Sequence, residues 1–432
     1  SALRTIETKT QQKPAALCLE IVNGQLNLVL FTKAGKFSPS NSKAPLVSLE
    51  QLRSAVESLK EEVADFSKID EDSYRPHAKQ LYQWLIAPIE NTLKQQNIDT
   101  LIFSVNLQVP LFPLEVLYNE TNRHYLIEDY SISRILDLNQ IIDFSQKVSI
   151  PYEEQDRSLD LVVMGASKYK DTESEAADLP GIESELQSVS GQWKRGADER
   201  IEGGEWVTNG DNSTLVPPLI NRDFTIENIR SKLAKNSLDI VHIATHGVFN
   251  SETPSESYLR LWDSNLLFDD LQEMLKNREV ELLVLSACNT ASGNENGQLG
   301  LEKLVQERDI KTILATQWKA HHISAYIMMR RYPREFPGNR NLEFMRQPIW
   351  FYKAKALQQL QVNMLQKKIY LTKNGQMKVS ISIGEEPASI NLPSDLVQLV
   401  QASTEIQNNE TEEFFFDHPY FWAAFTLIGS PW

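Results

Sequence analysis

Apolar and polar positions alternate in two different ways along this chain, and the change between them divides it. Residues 16–33 (ALCLEIVNGQLNLVLFTK) form two β-rich runs around Asn23-Gly24, and Asn-Gly between apolar runs is the strongest short hairpin signal. From Leu49 to Phe66 and from Lys79 to Gln95, apolar residues recur every three to four positions with charges between, which predicts two amphipathic helices. A short strand is predicted over Thr100 to Val105 (TLIFSV), ended by Pro110 and Pro113. The polar, Pro-containing stretch 148–157 (VSIPYEEQDR) reads as a boundary between a first region, 1–150, and a second, 156–432.

In the second region four runs are nearly all apolar: Leu159–Met164, Ile240–Thr245, Leu282–Ala287 and Thr312–Thr316. Helical patterns lie between them at Gly181–Trp193, Thr225–Ala234, Asp269–Asn277 and Leu299–Arg308. Strands without polar alternation, separated by helices, predict an α/β fold with a mostly parallel sheet sandwiched by helices. Three stretches interrupt the pattern: 195–216, 289–298, and 370–414, the last polar and acidic with an internal strand-like VSISI. The second and third are expected to stay mobile until a partner or substrate orders them, because polar loops bury little apolar surface.

Composition narrows the function. A length of 432 residues suits two or three domains. The net charge of −15 argues against nucleic acid as a partner. No apolar run reaches the ~18–20 residues of a membrane span, and the start, SALRTIETKTQQKPA, lacks a signal-peptide core. A cytoplasmic protein with no membrane contact is expected. The absence of Met before Ser1-Ala2 gives the expectation of a piece cut from a longer protein. Two cysteines, Cys18 and Cys288, cannot build a disulfide framework or a thiolate metal site.

Reactive groups in an open parallel sheet gather at the carboxyl ends of its strands. One predicted strand runs into His246-Gly247 and another into Cys288-Asn289, 42 residues on. That separation is one βαβ crossover, which sets the two tips side by side. Each residue alone has a bland reading, the cysteine as a small buried hydrophobe and the histidine as a satisfied turn residue. Together they can form a nucleophile and its proton partner. Gly247, with no Cβ, lets a substrate approach its N–H, which with the Cys288 N–H can stabilise an oxyanion.

His242 and His246 have the spacing of a helical zinc site. On a strand, however, their imidazoles would stand about 13 Å apart. Adjacent His321 and His322 diverge, so joint metal ligation by them is not expected; no cofactor is expected, and His242 is expected to be buried and satisfied. Neither GxxxxGK[ST] nor GxSxG occurs.

IVHIATHG (240–247), LLVLSACNTASG (282–293), GLEKLVQERDIKTILATQW (300–318) and HPYFWAAFTLIGSPW (418–432) resemble the CHAT family, caspase-like cysteine peptidases related to separase. LYQWLIAPIE (81–90), VPLFPLEVLY (109–118), YLIEDYSIS (125–133) and LPGIESELQSV (179–189) are similar to the family in the same order. The resemblance implies a caspase/haemoglobinase-like catalytic region at 156–432, preceded by a degenerate caspase-like region at 1–150. It assigns the catalytic His to His246 and the nucleophile to Cys288. It also implies a protein substrate, and activity gated by an activating protein or a helical-repeat sensor region. The alternatives are a catalytically silent CHAT scaffold and an amidase or acyl transferase using the same dyad.

In such folds the substrate adds as an extended strand beside the one ending near Thr316–Trp318. Ser286, Thr316, Trp318, His321 and His322 are accordingly the expected pocket residues. Where relatives carry an acidic residue after the Trp, this chain reads Trp318-Lys-Ala-His-His322, and Glu302 departs from the common Gly-Leu-Ala triplet. The pocket is therefore expected to be neutral or partly cationic, without arginine preference, unless Asp263, Glu252 or the acidic segment before His418 supplies a carboxylate.

Overall fold

The computed structural model describes residues 2–39, 46–104, 108–148, 160–170, 179–192, 198–202, 205–209, 217–234, 237–248, 253–287, 310–331, 352–380, 387–407 and 411–432. The expected Leu299–Arg308 helix, the 289–298 stretch, Glu252 and Cys288 lie outside these residues.

The main sheet is built of β1 (Pro14–Val22), β2 (Gln25–Thr32), β3 (Gly35–Phe37), β4 (Thr100–Ser104), β5 (Ser131–Ile135), β6 (Leu161–Gly165), β7 (Leu219–Ile220), β8 (Ser237–Thr245), β9 (Glu279–Ala287), β10 (Thr312–Thr316) and β11 (Phe425–Gly429). Their spatial order is β7-β6-β8-β9-β10-β11-β5-β4-β1-β2-β3. β1 and β2 form the expected hairpin, with Val22 opposite Gln25. Asn23 and Gly24 both take positive φ, 51° and 76°, as a two-residue turn matched to strand twist requires. All four strands expected in the second region are present.

Strands β7, β6, β8, β9 and β10 run parallel. So do β11, β5, β4 and β1. The two sets meet antiparallel where β10 pairs with β11. Strand carboxyl ends of the two sets therefore point to opposite ends of the sheet, and the closing strand of the chain aligns with the N-terminal set. Beside that seam, β11 is fastened to β5 by buried Arg134, whose Nη1 and Nη2 donate to the two Glu115 oxygens at 2.8 Å each. The Nη2 atom also donates to Phe112 O at 2.9 Å, and Nη1 to Thr426 Oγ1 on β11.

Alternation along the strands divides the core. On one face Ile240, Ala244, Leu282, Val284 and Leu314 join Leu186, Ile323, Leu357 and Leu360 in a cluster that spans both strand sets. On the other, Val241, Ile243, Leu283, Leu285 and Ile313 pack with Phe224, Ile229, Leu271 and Leu275. The expected helices appear as Leu49–Ala64, Ile182–Gln192, Ile226–Lys232 and Phe268–Leu275. The first carries a capping box, with Gln51 N donating to Ser48 Oγ and Ser48 N to Gln51 Oε1.

Two expectations need correction. The Lys79–Gln95 helix is two helices, Arg75–Leu85 and Glu90–Gln95. Pro88 lies between them, and proline lacks the N–H a continuous helix needs. Most of 370–414 is not a loop. Residues 369–372, 376–379, 388–391 and 413–415 pair in a second sheet that also takes in 198–202 and 205–209. Leu371, Met377, Ile390, Leu396, Val400 and Phe414 are buried there. No helix among the described residues is long and apolar enough to cross a membrane.

Candidate active site

The carboxyl tips of β8 and β9 sit together. Their parallel register runs to Thr245 opposite Ala287, the residues immediately before His246 and Cys288. Just past the tip, His246 O accepts from Arg260 N at 2.9 Å, and Gly247 pairs with Leu259 in the antiparallel ladder. In such ladders hydrogen-bonded and non-hydrogen-bonded pairs alternate. The 260-to-246 bond makes Gly247 and Leu259 a non-bonded pair, so the Gly247 N–H points away from its partner strand.

Tyr169, which the sequence did not single out, braces this tip. Its hydroxyl lies 3.1 Å from both Ala166 O and Thr245 Oγ1, and accepts from His246 N at 3.3 Å. Its ring lies 5.6 Å from the His246 ring, tilted by 32°, and the Arg260 guanidinium sits 4.9 Å from its centroid. The loop bearing Tyr169 is itself pinned. Asn221 Oδ1 accepts from Ser167 N at 2.9 Å and Lys168 N at 3.1 Å, while Glu183 Oε1 accepts from Ser167 Oγ and Asn221 Nδ2. Gly165 opens the loop because a Cβ there would stand 1.9 Å from Ala244 O.

Beside the tips lies an open pocket of about 440 Å³, counting the space at its mouth. Thr245, Ser286, Thr316 and His322 line it, with Glu185 and the apolar side chains of Leu179, Ile182 and Ala325. Ser286 shares strand parity with Leu282 and Val284, and Thr316 with Leu314, so both face the helix-covered side where the pocket opens. Two of the expected pocket residues are elsewhere. Trp318 is buried and donates from Nε1 to Tyr420 O at 3.1 Å, and His321 stacks on Phe66 with centroids 5.6 Å apart.

The expected neutral or partly cationic wall is corrected by Glu185, from the Ile182–Gln192 helix. Asp263 does not line the pocket, and Asp417, just before His418, pairs with Lys367 at 3.3 Å. His322 is held below its ordinary pKa chiefly by burial, then by Lys319 and His246, with Glu185 opposing. His242 is fully buried on β8, and its Nε2 bonds Glu185 Oε1 at 2.9 Å. Among the described residues no cluster of three or more His, Cys, Asp or Glu could hold a metal ion.

Cys18 is remote from these groups. It lies on β1, six strand intervals from β8, about 29 Å at the usual spacing. Burial pushes its thiol up to about 11, so it is protonated and unreactive at neutral pH.

Adjacent strand tips, a braced histidine backbone and a lined pocket make up the candidate site, and the sequence places the chain in a family. The chain belongs to the CHAT domain family, whose model matches residues 75–430. Among solved structures it is similar to the Saccharomyces cerevisiae separase–securin complex, at 9% identity and a TM-score of 0.44. That match covers 84% of this chain and 29% of the other, so the chain spans less than a third of its neighbour. It is also similar to the complex of Porphyromonas gingivalis RgpB pro- and mature domains, at 9% identity and a TM-score of 0.40, covering 88% of this chain and 76% of that one. No curated protein sequence matches the chain.

Proposed function

We propose that the protein is a cysteine endopeptidase in which His246 and Cys288 act as a dyad on a protein substrate. The observation that carries this reading is the β8–β9 register, which ends at Thr245 and Ala287, one residue short of each. His246 takes the Cys288 thiol proton, and the thiolate attacks the scissile carbonyl. The N–H groups of Gly247 and Cys288 receive the oxyanion. The imidazolium then protonates the leaving amine, and water, deprotonated by His246, hydrolyses the thioester. Tyr169 is a positioning residue that fixes the His246 backbone.

Residues 156–432 hold this machinery, and 1–150 form a degenerate partner half that completes the sheet. An activating protein or a fused sensor region gates the activity. Cys288→Ala and His246→Ala should each abolish peptide hydrolysis while the fold persists, because losing either half of such a unit removes most of its rate. An alkylating thiol probe should label Cys288 and leave Cys18 untouched. Hydrolysis by Cys288→Ala at the wild-type rate would refute the dyad.

A further inference from the structure

The chain that follows His246 builds a small antiparallel sheet of three strands, Gly247–Val248, Tyr258–Arg260 and Asn265–Leu267. Val248 stands opposite Tyr258, and Tyr258 opposite Leu267. Directly opposed residues project to one face, so these three side chains form a single row, about 10 Å from end to end at the usual strand spacing. The alternate row, Leu259 and Leu266, is fully buried and holds the sheet to the core. Val248 and Leu267 are instead 44% and 38% exposed, two of the five large apolar side chains exposed among the described residues. A single exposed apolar residue needs no explanation, whereas two in one row of so small a sheet mark a surface that something covers.

The row's place says what that is. Arg260 N donates to His246 O, which sets His246 opposite Arg260, two residues before Val248 and therefore on the same face. The Tyr169 ring lies beside both His246 and Arg260, as a shared face requires. The apolar row thus begins about 7 Å from the His246 backbone. When a peptide bond is cut, the imidazolium gives its proton to the leaving amine, so the segment carrying that amine crosses the His246 side of the cleft. An extended segment advances about 3.3 Å per residue, which brings its second residue over the row.

Charge narrows the occupant further. Asp263 lies in the turn before Asn265, and Asp269 and Asp270 open the helix after Leu267, all three exposed. A carboxylate arriving here would meet like charge, and an apolar side chain would cover apolar surface.

We propose that the Val248–Tyr258–Leu267 row receives the substrate on the carboxyl side of the scissile bond, taking an apolar side chain at the second residue after the cut and disfavouring an acidic one. The proposal rests on the peptidase reading above and concerns a part of the substrate that the strand-tip pocket does not hold.

The test uses a synthetic peptide library randomised at every position, with cut sites read by mass spectrometry from both new ends. In wild type, Leu, Ile, Val, Met or Phe at the second residue after the cut should be favoured at least about fivefold over Ser, Asn, Asp or Glu, as partial covering of one apolar side chain gives. Val248→Thr/Leu267→Gln keeps size at two exposed positions and should bring that ratio to about twofold or less. The wild-type ratio decides even if the variant fails to fold. A smaller wild-type ratio, or a folded variant whose ratio stays above about twofold, would overturn the role of the row while leaving the dyad intact. Absence of any cleavage by wild type would overturn this inference, and if iodoacetamide also failed to label Cys288 the peptidase reading would fall with it.

Discussion

Tyr169→Phe isolates the brace on His246, because it deletes one hydroxyl and keeps the ring beside the imidazole. Three contacts end with that hydroxyl: to Ala166 O, to Thr245 Oγ1 and from His246 N. Thr245 keeps its bond to Arg260 O, so the loss falls on the Ala166 carbonyl and the His246 amide. Orphaning a buried polar group costs about 1–3 kcal/mol, and water can reach the half-buried His246 end, so a loss of about 2 kcal/mol is expected. In a chain of this size that is a fall in Tm of about 2 °C.

The kinetic consequence should be larger than the thermal one. A displacement of about 1 Å in a reacting group can cost a hundredfold in rate, so kcat should drop about 10- to 100-fold. KM should change little, since Tyr169 does not line the pocket. Steady-state hydrolysis alongside a thermal melt separates the two effects. A lowered Tm with kcat within about twofold of wild type would mean that the hydroxyl serves the fold alone and that the brace has no catalytic part.

Two further outcomes follow from buried charge. Glu115→Ala leaves the Arg134 guanidinium uncompensated at the β5–β11 junction and should cost about 3–5 kcal/mol in urea unfolding, with much of it recovered by Glu115→Leu/Arg134→Met; a cost under about 1 kcal/mol would contradict the clamp. Burial pushes His418 down from 6.5 to about 4. The unfolded chain therefore takes up a proton first as pH falls. Stability should be full above pH 6.5 and decline toward pH 4 by about 3 kcal/mol in all. His418→Gln should flatten that acid limb, and an unchanged slope would refute the assignment.

The fold was legible where burial and composition agree. β6, β8, β9 and β10 are apolar on both faces, and both faces are covered. β5 hid because its sequence, SISRI, looks half polar. Its polar side chains are buried only because each has a partner: Ser131 with Thr100, Ser133 with Gly429 O, and Arg134 with Glu115. The second sheet left a signal that its acidic surroundings masked. Asn374-Gly375 is flanked by Ile369 and Leu371 on one side and by Met377 and Val379 on the other, an alternating hairpin pattern whose apolar members are all buried.

His246 and Cys288 were readable because strand tips are fixed by sequence adjacency, whereas Glu185 depended on where a helix lands. Yet the helix carried a mark. Ile182, Glu185, Leu186 and Val189 are buried at i, i+3, i+4 and i+7, the stripe that an amphipathic helix turns toward a core. An acidic residue on that stripe is costly unless something meets it. Glu183, two positions earlier, is also acidic and near the helix start, where either would favour the helix dipole. Glu183, half-buried, is taken up by Ser167 and Asn221 in holding the Tyr169 loop. Glu185, on the stripe, meets His242 from the equally apolar Ile240–Ala244 face of β8. Two polar residues each interrupting an apolar face, one on a strand and one on the helix covering it, imply one another across the interface. That pairing rule, applied before any coordinates, would have joined Glu185 to His242 and put a carboxylate beside the strand tips.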